Sequence, residues 1–183
     1  MSNHAEVKIR VAELKDCHKI AEVHINSWKI AYSGLLSELY LNSLELQERA
    51  AMWDKILKAD FSKTHVAVAG DDVLGFISIG PANDIPEENR VKDSGCIYAF
   101  YVAPQFWRKG YGFKLLRYAV TEMNGPYSRL FLWVIADNIV GRNFYVSRGF
   151  KSHGVFKEEE TEPGNPLKEE LFSKSVEEIH QLL

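Results

Sequence analysis

The chain has 183 residues, with 22 Lys and Arg against 25 Asp and Glu, so its formal net charge is −3. A composition of 46% hydrophobic and 26% charged residues excludes disordered, collagen-like and fibrous classes, and the near-neutral balance provides no overall basic field for gripping nucleic acid. A domain of this length buries roughly 70% of its unfolded surface and needs no disulfide or metal to hold it.

The two cysteines, Cys17 and Cys96, each sit inside an apolar run, with no CxxC pair and no Cys/His cluster at zinc spacing. They read as buried thiols of a reducing compartment, and no metal is expected. Residues 1–6 lack the charged start and apolar stretch of a signal peptide, and no stretch approaches the roughly 20 apolar residues of a membrane span. The expectation is one domain over 1–183, with its core at about 6–174, in the cytoplasm and without membrane contact.

Residues 7–11 alternate apolar and polar, the pattern of a half-buried strand. Leu14, Cys17, Ala21, His24, Ile25 and Trp28 then recur at helical spacing and predict an amphipathic helix over 14–31, broken by Ser33-Gly34. A second helical stretch runs from about 37 to 58. From residue 64 the period changes: 65–69 and 73–79 read as strands joined by a tight turn at Gly70-Asp71-Asp72, and 81–94 as a polar loop with two prolines. Residues 96–102 are apolar or aromatic throughout, which predicts a strand buried on both faces that ends at Ala103-Pro104. A helix over 111–124, an apolar strand over 130–135, a helix over 138–148 closed by Gly149, strands at about 150–156 and 168–174, and a short helical tail complete the chain. That order describes one mixed α/β sheet.

The most informative local feature is Gln105-Phe106-Trp107-Arg108-Lys109-Gly110-Tyr111-Gly112, between the buried strand and a helix N-terminus. Unpaired N–H groups and the helix dipole make that position suit an anionic phosphate, with Arg108 and Lys109 adding charge and glycine permitting close approach. A bland strand-to-helix connection is the competing reading of this loop alone. It is neither a Rossmann turn, because Leu115 stands where a third glycine belongs, nor a Walker A loop.

The run from Tyr98 through Leu116 resembles the acyl-CoA-binding motif of the GNAT N-acetyltransferase superfamily. Asn138-x-x-Gly141-x-x-Phe144-Tyr145-x-x-x-Gly149-Phe150 is similar to that family's asparagine-to-Phe-Tyr helix, and His24-x-x-Ser27-Trp28-x-x-Ala31-Tyr32-x-Gly34 to the first helix of many bacterial members. The resemblance implies a single, mostly antiparallel sheet flanked by helices, its central strands splayed to admit the cofactor. It implies acetyl-CoA as cosubstrate, held by the amides of residues 108–113 (Arg108, Lys109, Gly110, Tyr111, Gly112 and Phe113), by Asn138 on the pantetheine arm, and by Arg142 or Asn143 toward the nucleotide. A central-strand N–H near Tyr101 or Val102 is expected at the thioester carbonyl, and Tyr145 as general acid to the thiolate. By spacing alone, Phe144-Tyr145 reads equally as the core face of a helix.

The chain departs from the family pattern in places. Trp107 replaces a Gln or Arg, Gly141 a more common alanine at up to about 1 kcal/mol of helix stability, and Cys96 the glutamate that usually serves as general base. Cys96 as an acyl-carrying nucleophile is disfavoured, because an apolar strand raises a thiol's pKa. His24 is a candidate base, with a packed histidine the commoner reading of such a position. Trp28, Tyr32 and Tyr98 are candidates for the wall of the acceptor pocket, or for core. Glu87 and Glu88 either attract a cationic substrate or are simply solvated. The expected activity is acetyl transfer to a primary amine on a small molecule or peptide, with a homodimer left open. The alternatives are a non-catalytic acyl-CoA-binding or regulatory module, and a ligand-free interaction domain.

Overall fold

The computed structural model describes residues 6–123 and 127–181. Residues 1–5, read for a signal peptide, and Asn124, the expected end of a helix, lie outside them. The strands are β1 (Lys8–Val11), β2 (Lys63–Ala69), β3 (Asp72–Pro81), β4 (Ser94–Val102), β5 (Arg129–Ile135), β6 (Lys151–Glu162) and β7 (Asn165–Ser175). They form one sheet in the order β1-β2-β3-β4-β5-β7-β6. Every neighbouring pair is antiparallel except β4 and β5. The helices are α1 (Cys17–Ala31), α2 (Glu38–Asn42), α3 (Leu46–Lys58), α4 (Tyr111–Glu122), α5 (Ile139–Ser147) and α6 (Val176–His180).

The sheet is covered on both faces. Ile20, Ala21 and Val23 of α1 and Trp53 of α3 pack on Val66, Val68, Val73 and Phe76. On the other face Leu115, Leu116 and Ala119 of α4 and Ile179 of α6 pack on Ala67, Ile77, Ile97, Leu130 and Phe172. Alternate residues of β2 and β3 thus feed opposite layers, which is why these strands read as continuous apolar runs. Leu115 and Leu116 are fully buried, and truncating either to Ala removes about 2–5 kcal/mol.

Three expectations are corrected. The stretch 37–58 is two helices, because Ser43, Leu44 and Glu45 interrupt it and Ser37 caps α2 by accepting from the Tyr40 N–H. The last two strands are far longer than 150–156 and 168–174 and meet in a tight hairpin, with Gly164 at φ 75° supplying the turn. The central strand is not buried throughout: Gly95, Cys96 and Ile97 are, but Tyr98 is exposed and residues 99–102 are half-buried. Ala99 and Tyr101 still pack against one core and Phe100 and Val102 against the other, while Tyr98 and Tyr101 also line a cavity.

His65 on β2 is fully buried against Tyr118, and neither ring nitrogen has a hydrogen-bond partner among the described residues. Burial, assisted by Lys63, pushes its pKa down to about 4, so the unfolded chain takes up a proton near 6.5 that the folded chain refuses. Stability from this group is fully present above about pH 6.5 and falls as pH drops toward 4. We expect His65→Leu to flatten the fall of Tm between pH 6.5 and 4 relative to wild type; parallel Tm-versus-pH curves would contradict it.

Candidate active site

The site begins where a ladder ends. β4 and β5, joined by the crossover through α4, pair only at Ser94 with Arg129, Gly95 with Leu130 and Cys96 with Phe131. Beyond that point β4 stays with β3, and β5 stays with β7 as far as Ile135 opposite Glu169. The two strands therefore part in a V. At its vertex a Cβ on Gly95 would stand 2.8 Å from Tyr127 Cγ, so only glycine fits. Within β4 the register slips between Ala99 and Ile97, making Tyr98 the extra residue of a bulge. The Ala103 N–H donates to Leu74 O on β3 at 2.8 Å. Antiparallel alternation then turns the Tyr101 N–H toward β3 and the Val102 N–H into the opening. Of the two expected backbone donors, only Val102 faces the cleft.

Beyond Val102 the chain makes a 3₁₀ turn (Pro104–Phe106) and enters α4 through Gly110 at φ 84°. Arg108 is also left-handed, at φ 60°. No side chain caps α4, so the N–H groups of Tyr111, Gly112 and Phe113 are left to an external acceptor. Arg108 and Lys109 are exposed beside them. A Cβ on Gly112 would lie 3.2 Å from Phe144 Cε2, so the glycine also lets α4 close on α5. Trp107 donates from Nε1 to Val102 O at 2.6 Å, and Ser27 Oγ donates to the same carbonyl at 3.2 Å. Trp107 thus pins the end of β4. Arg148, which the sequence reading passed over, lies 4.7 Å over the Phe113 ring.

α5 carries the second motif. Asn138 spends its Oδ1 accepting from the Gly141 N–H at 2.9 Å, as the helix cap. The close neighbour that Gly141 accommodates is that same carboxamide, 2.8 Å from where a Cβ would be. Arg142 is tied to Glu170 at 2.9 Å and to Ala136 O, while Asn143 is exposed. The Tyr145 ring packs 5.5 Å from Phe150 and 6.4 Å from Phe100. Its hydroxyl has no hydrogen-bond partner among the described residues. Burial, with Tyr101 and Cys96 nearby, pushes the phenol well above its ordinary range, so it keeps its proton at neutral pH.

Between the parted strands lies a cavity of about 460 Å³ that brings together Trp28, Tyr32 and Tyr98. Trp28 Nε1 donates to the Tyr101 hydroxyl at 2.9 Å, and the Tyr32 hydroxyl is 3.4 Å from the same oxygen. Tyr98 donates to Pro81 O. Cys96 lines the cavity at 1% exposure, and burial, reinforced by Asp84, holds its thiol protonated. His24 is buried behind this wall, stacked on Tyr101 and accepting at Nδ1 from Trp53 Nε1 at 3.1 Å. Burial, with Arg49 nearby, drives its pKa down to about 3, which removes it as a base. Glu87 and Glu88 are exposed and absent from the cavity wall.

Sequence reasoning missed the charged part of the wall: Arg49, Asp84, Lys157, Glu159 and Glu169. Lys157 Nζ lies 3.4 Å from Glu169 Oε2 and 3.9 Å from Glu159 Oε2, and 4.8 Å over the Trp133 ring. The available signal was the charged run from 157 to 162, flanked by Pro163-Gly164, which a hairpin reading would have placed on strands. Among the described residues no group of three or more His, Cys, Asp or Glu side chains is placed to hold a metal ion, and no helix is long and apolar enough to cross a membrane.

The relatives agree with this architecture. An N-acetyltransferase of Bacillus subtilis, YuaI, whose own name calls it uncharacterized, is 36% identical over 137 residues, covering 72% of this chain and 73% of that one. A spermidine N(1)-acetyltransferase of Thermoplasma acidophilum is 26% identical over 151 residues, 79% of this chain and 88% of its own length. The crystal structure of the PaiA N-acetyltransferase of T. acidophilum, in complex with coenzyme A, superposes with a TM-score of 0.65 at 23% identity, over 93% of this chain and 99% of that one. The family model for the acetyltransferase (GNAT) family matches residues 28–150, from the aromatic end of α1 to the close of α5. The chain belongs to the GNAT acetyltransferase family.

Proposed function

We propose that this chain is a single-domain enzyme that moves an acetyl group from acetyl-CoA to a primary amine on a small cationic molecule. One observation carries the reading: β4 and β5 part in a V, an aromatic, carboxylate-bearing cavity is lined by both strands, and an uncapped helix N-terminus follows the end of β4. The residues fit the cosubstrate. Amides of Tyr111, Gly112 and Phe113, with Arg108 and Lys109, suit a pyrophosphate, and the coenzyme A in the T. acidophilum neighbour supports that ligand class. Asn138 Nδ2 and the exposed Asn143 are polar groups that α5 offers to the rest of the molecule. When bound, acetyl-CoA supplies a thioester carbonyl.

The chain's own residues then have separate tasks. The Val102 N–H donates to developing oxyanion charge, a role that mutagenesis elsewhere values at about 3–4 kcal/mol. The Tyr145 hydroxyl holds a proton where a thiolate leaves. Trp28, Tyr32 and Tyr98 exclude water and offer ring faces to a cation. Asp84, Glu159 and Glu169 outnumber Arg49 and Lys157 in the wall, three charges against two, which favours an acceptor with a positive charge. The named activity of the spermidine-acetylating relative is consistent with that class.

Two outcomes are expected. In calorimetry the wild type binds acetyl-CoA at micromolar affinity, and Gly112→Asp, which puts a negative charge in the first turn of α4 and a Cβ 3.2 Å from Phe144, weakens binding at least tenfold, with circular dichroism as the check on folding; a wild type that does not bind removes both enzyme and sensor readings. In a thiol-release assay with spermidine and a panel of primary amines, Tyr145→Phe keeps acetyl-CoA affinity and loses about 10²-fold in kcat. Turnover equal to wild type would remove Tyr145 from the chemistry. Binding without thiol release would leave a non-catalytic module.

A further inference from the structure

An alkylamine with a pKa near ~10 reaches the cavity as an ammonium ion and has no lone pair to attack with until a base takes a proton. Position 96, where the family resemblance places a carboxylate, holds a protonated thiol, and the His24 Nδ1 is occupied by Trp53. Three carboxylates line the cavity, and they differ in setting. Asp84 is exposed, and the Glu159 side chain is 56% exposed, as solvated as an ordinary surface acid. Glu169 is deep, its side chain 18% exposed.

The ladder explains its aim. Glu169 pairs with Ile135 of β5 and with Lys157 of β6, and both partners line the cavity. Its neighbour Glu170 points to the opposite face, where Arg142 and Ser152 hold it. Lys157, seated over Trp133, takes the Glu169 Oε2, and Oε1 has no protein partner among the described residues. One oxygen is therefore paired with Lys157, and the other is left without a protein partner on a side chain that lines the cavity.

We propose, on the acetyl-transfer reading above, that Glu169 is the proton acceptor for the amine and that Lys157 is its positioning residue. The substrate ammonium gives one proton to the Glu169 carboxylate, which passes it to solvent. The freed lone pair forms the C–N bond as the C–S bond breaks. The second proton lost by nitrogen replaces the one that Tyr145 donates to sulfur. The charged and titratable groups facing Glu169 are Lys157 and Glu159 of β6, Asp84 of the β3–β4 connection, Cys96 and Tyr101 of β4, and Tyr32 after α1. Burial raises the Glu169 carboxyl, Lys157 opposes it, and Glu159 and Asp84 add to the rise, so the group sits above ordinary carboxylates and nearer working pH.

The test compares wild type, Glu169→Gln, Glu169→Asp and Lys157→Met in thiol release with spermidine from pH 5 to 10, with acetyl-CoA calorimetry as the check on folding. We expect Glu169→Gln to lose about 10²-fold in kcat near pH 7, with a smaller rise in KM from the lost wall charge, and to regain rate about tenfold per pH unit as free amine accumulates. Glu169→Asp should recover part of the loss, and Lys157→Met should move the acid limb of the profile to higher pH. Independently of turnover, ¹³C NMR of glutamate carboxyls should show one group titrating above the rest, absent in Glu169→Gln. Turnover with an unchanged pH profile in Glu169→Gln, a change in KM alone, or no elevated carboxyl would overturn the base while leaving acetyl transfer standing. A wild type that binds acetyl-CoA and releases thiol with no amine would overturn both.

Discussion

The structure turns on the ending of one ladder. After Cys96 opposite Phe131 the two middle strands stop sharing hydrogen bonds, and the backbone of β4 that would otherwise be buried faces open space. An unmet buried N–H or C=O costs about 1–3 kcal/mol, so a sheet does not part at its centre without cause. Here part of the deficit is met locally: the Val102 carbonyl is bonded by both Trp107 and Ser27. The Val102 N–H, turned into the opening, is the donor that the proposed function gives to the thioester carbonyl. Two antiparallel blocks, β1 to β4 and β5 to β7, form the limbs of the V; α4 packs across both on one face, and α1 and α3 cover the first on the other.

The walls of the opening are stiff for the same reason. His24, Trp28, Trp53, Phe76 and Tyr101 form one lattice of edge and stacked contacts at 4.7 to 5.9 Å, in which Trp53 Nε1 donates to His24 Nδ1 and Trp28 Nε1 to the Tyr101 hydroxyl. Tyr101 stands at its front and meets the cavity. The opposite wall comes from the β6–β7 hairpin, whose tip is tied back to the first wall: Glu162 accepts from the Ser37 N–H and Oγ, and Asn165 Nδ2 donates to Leu35 O. Aromatic surface on one side and charge on the other give the cavity its two-sided character.

What was legible in the sequence follows from how local each feature is. The loop through Gly110 and Gly112 and the helix from Asn138 to Gly149 carry their roles in backbone constraints and short spacings, so their places were readable. The elements covering the sheet announced themselves through helical and strand periods. The charged wall was not readable, because Glu169, Lys157 and Asp84 meet only through the pairing of β6 with β7 and the fold of the β3–β4 connection. In a run as polar as 157–170, a solvated loop and an amphipathic hairpin look alike until the register is known. The apolar run 96–102 misled in the other direction: Tyr98 at the bulge is exposed and Tyr101 reaches the cavity, and hydrophobicity alone does not separate a cavity-lining residue from a core-facing one.

The most direct test of the V as a ligand cleft is backbone amide hydrogen exchange, residue by residue, with and without acetyl-CoA. The account predicts that added acetyl-CoA slows exchange at Val102 and at Tyr111, Gly112 and Phe113 together, from one ligand bridging the open edge of β4 and the uncapped start of α4. Protection at neither place, or at only one of them, would contradict it.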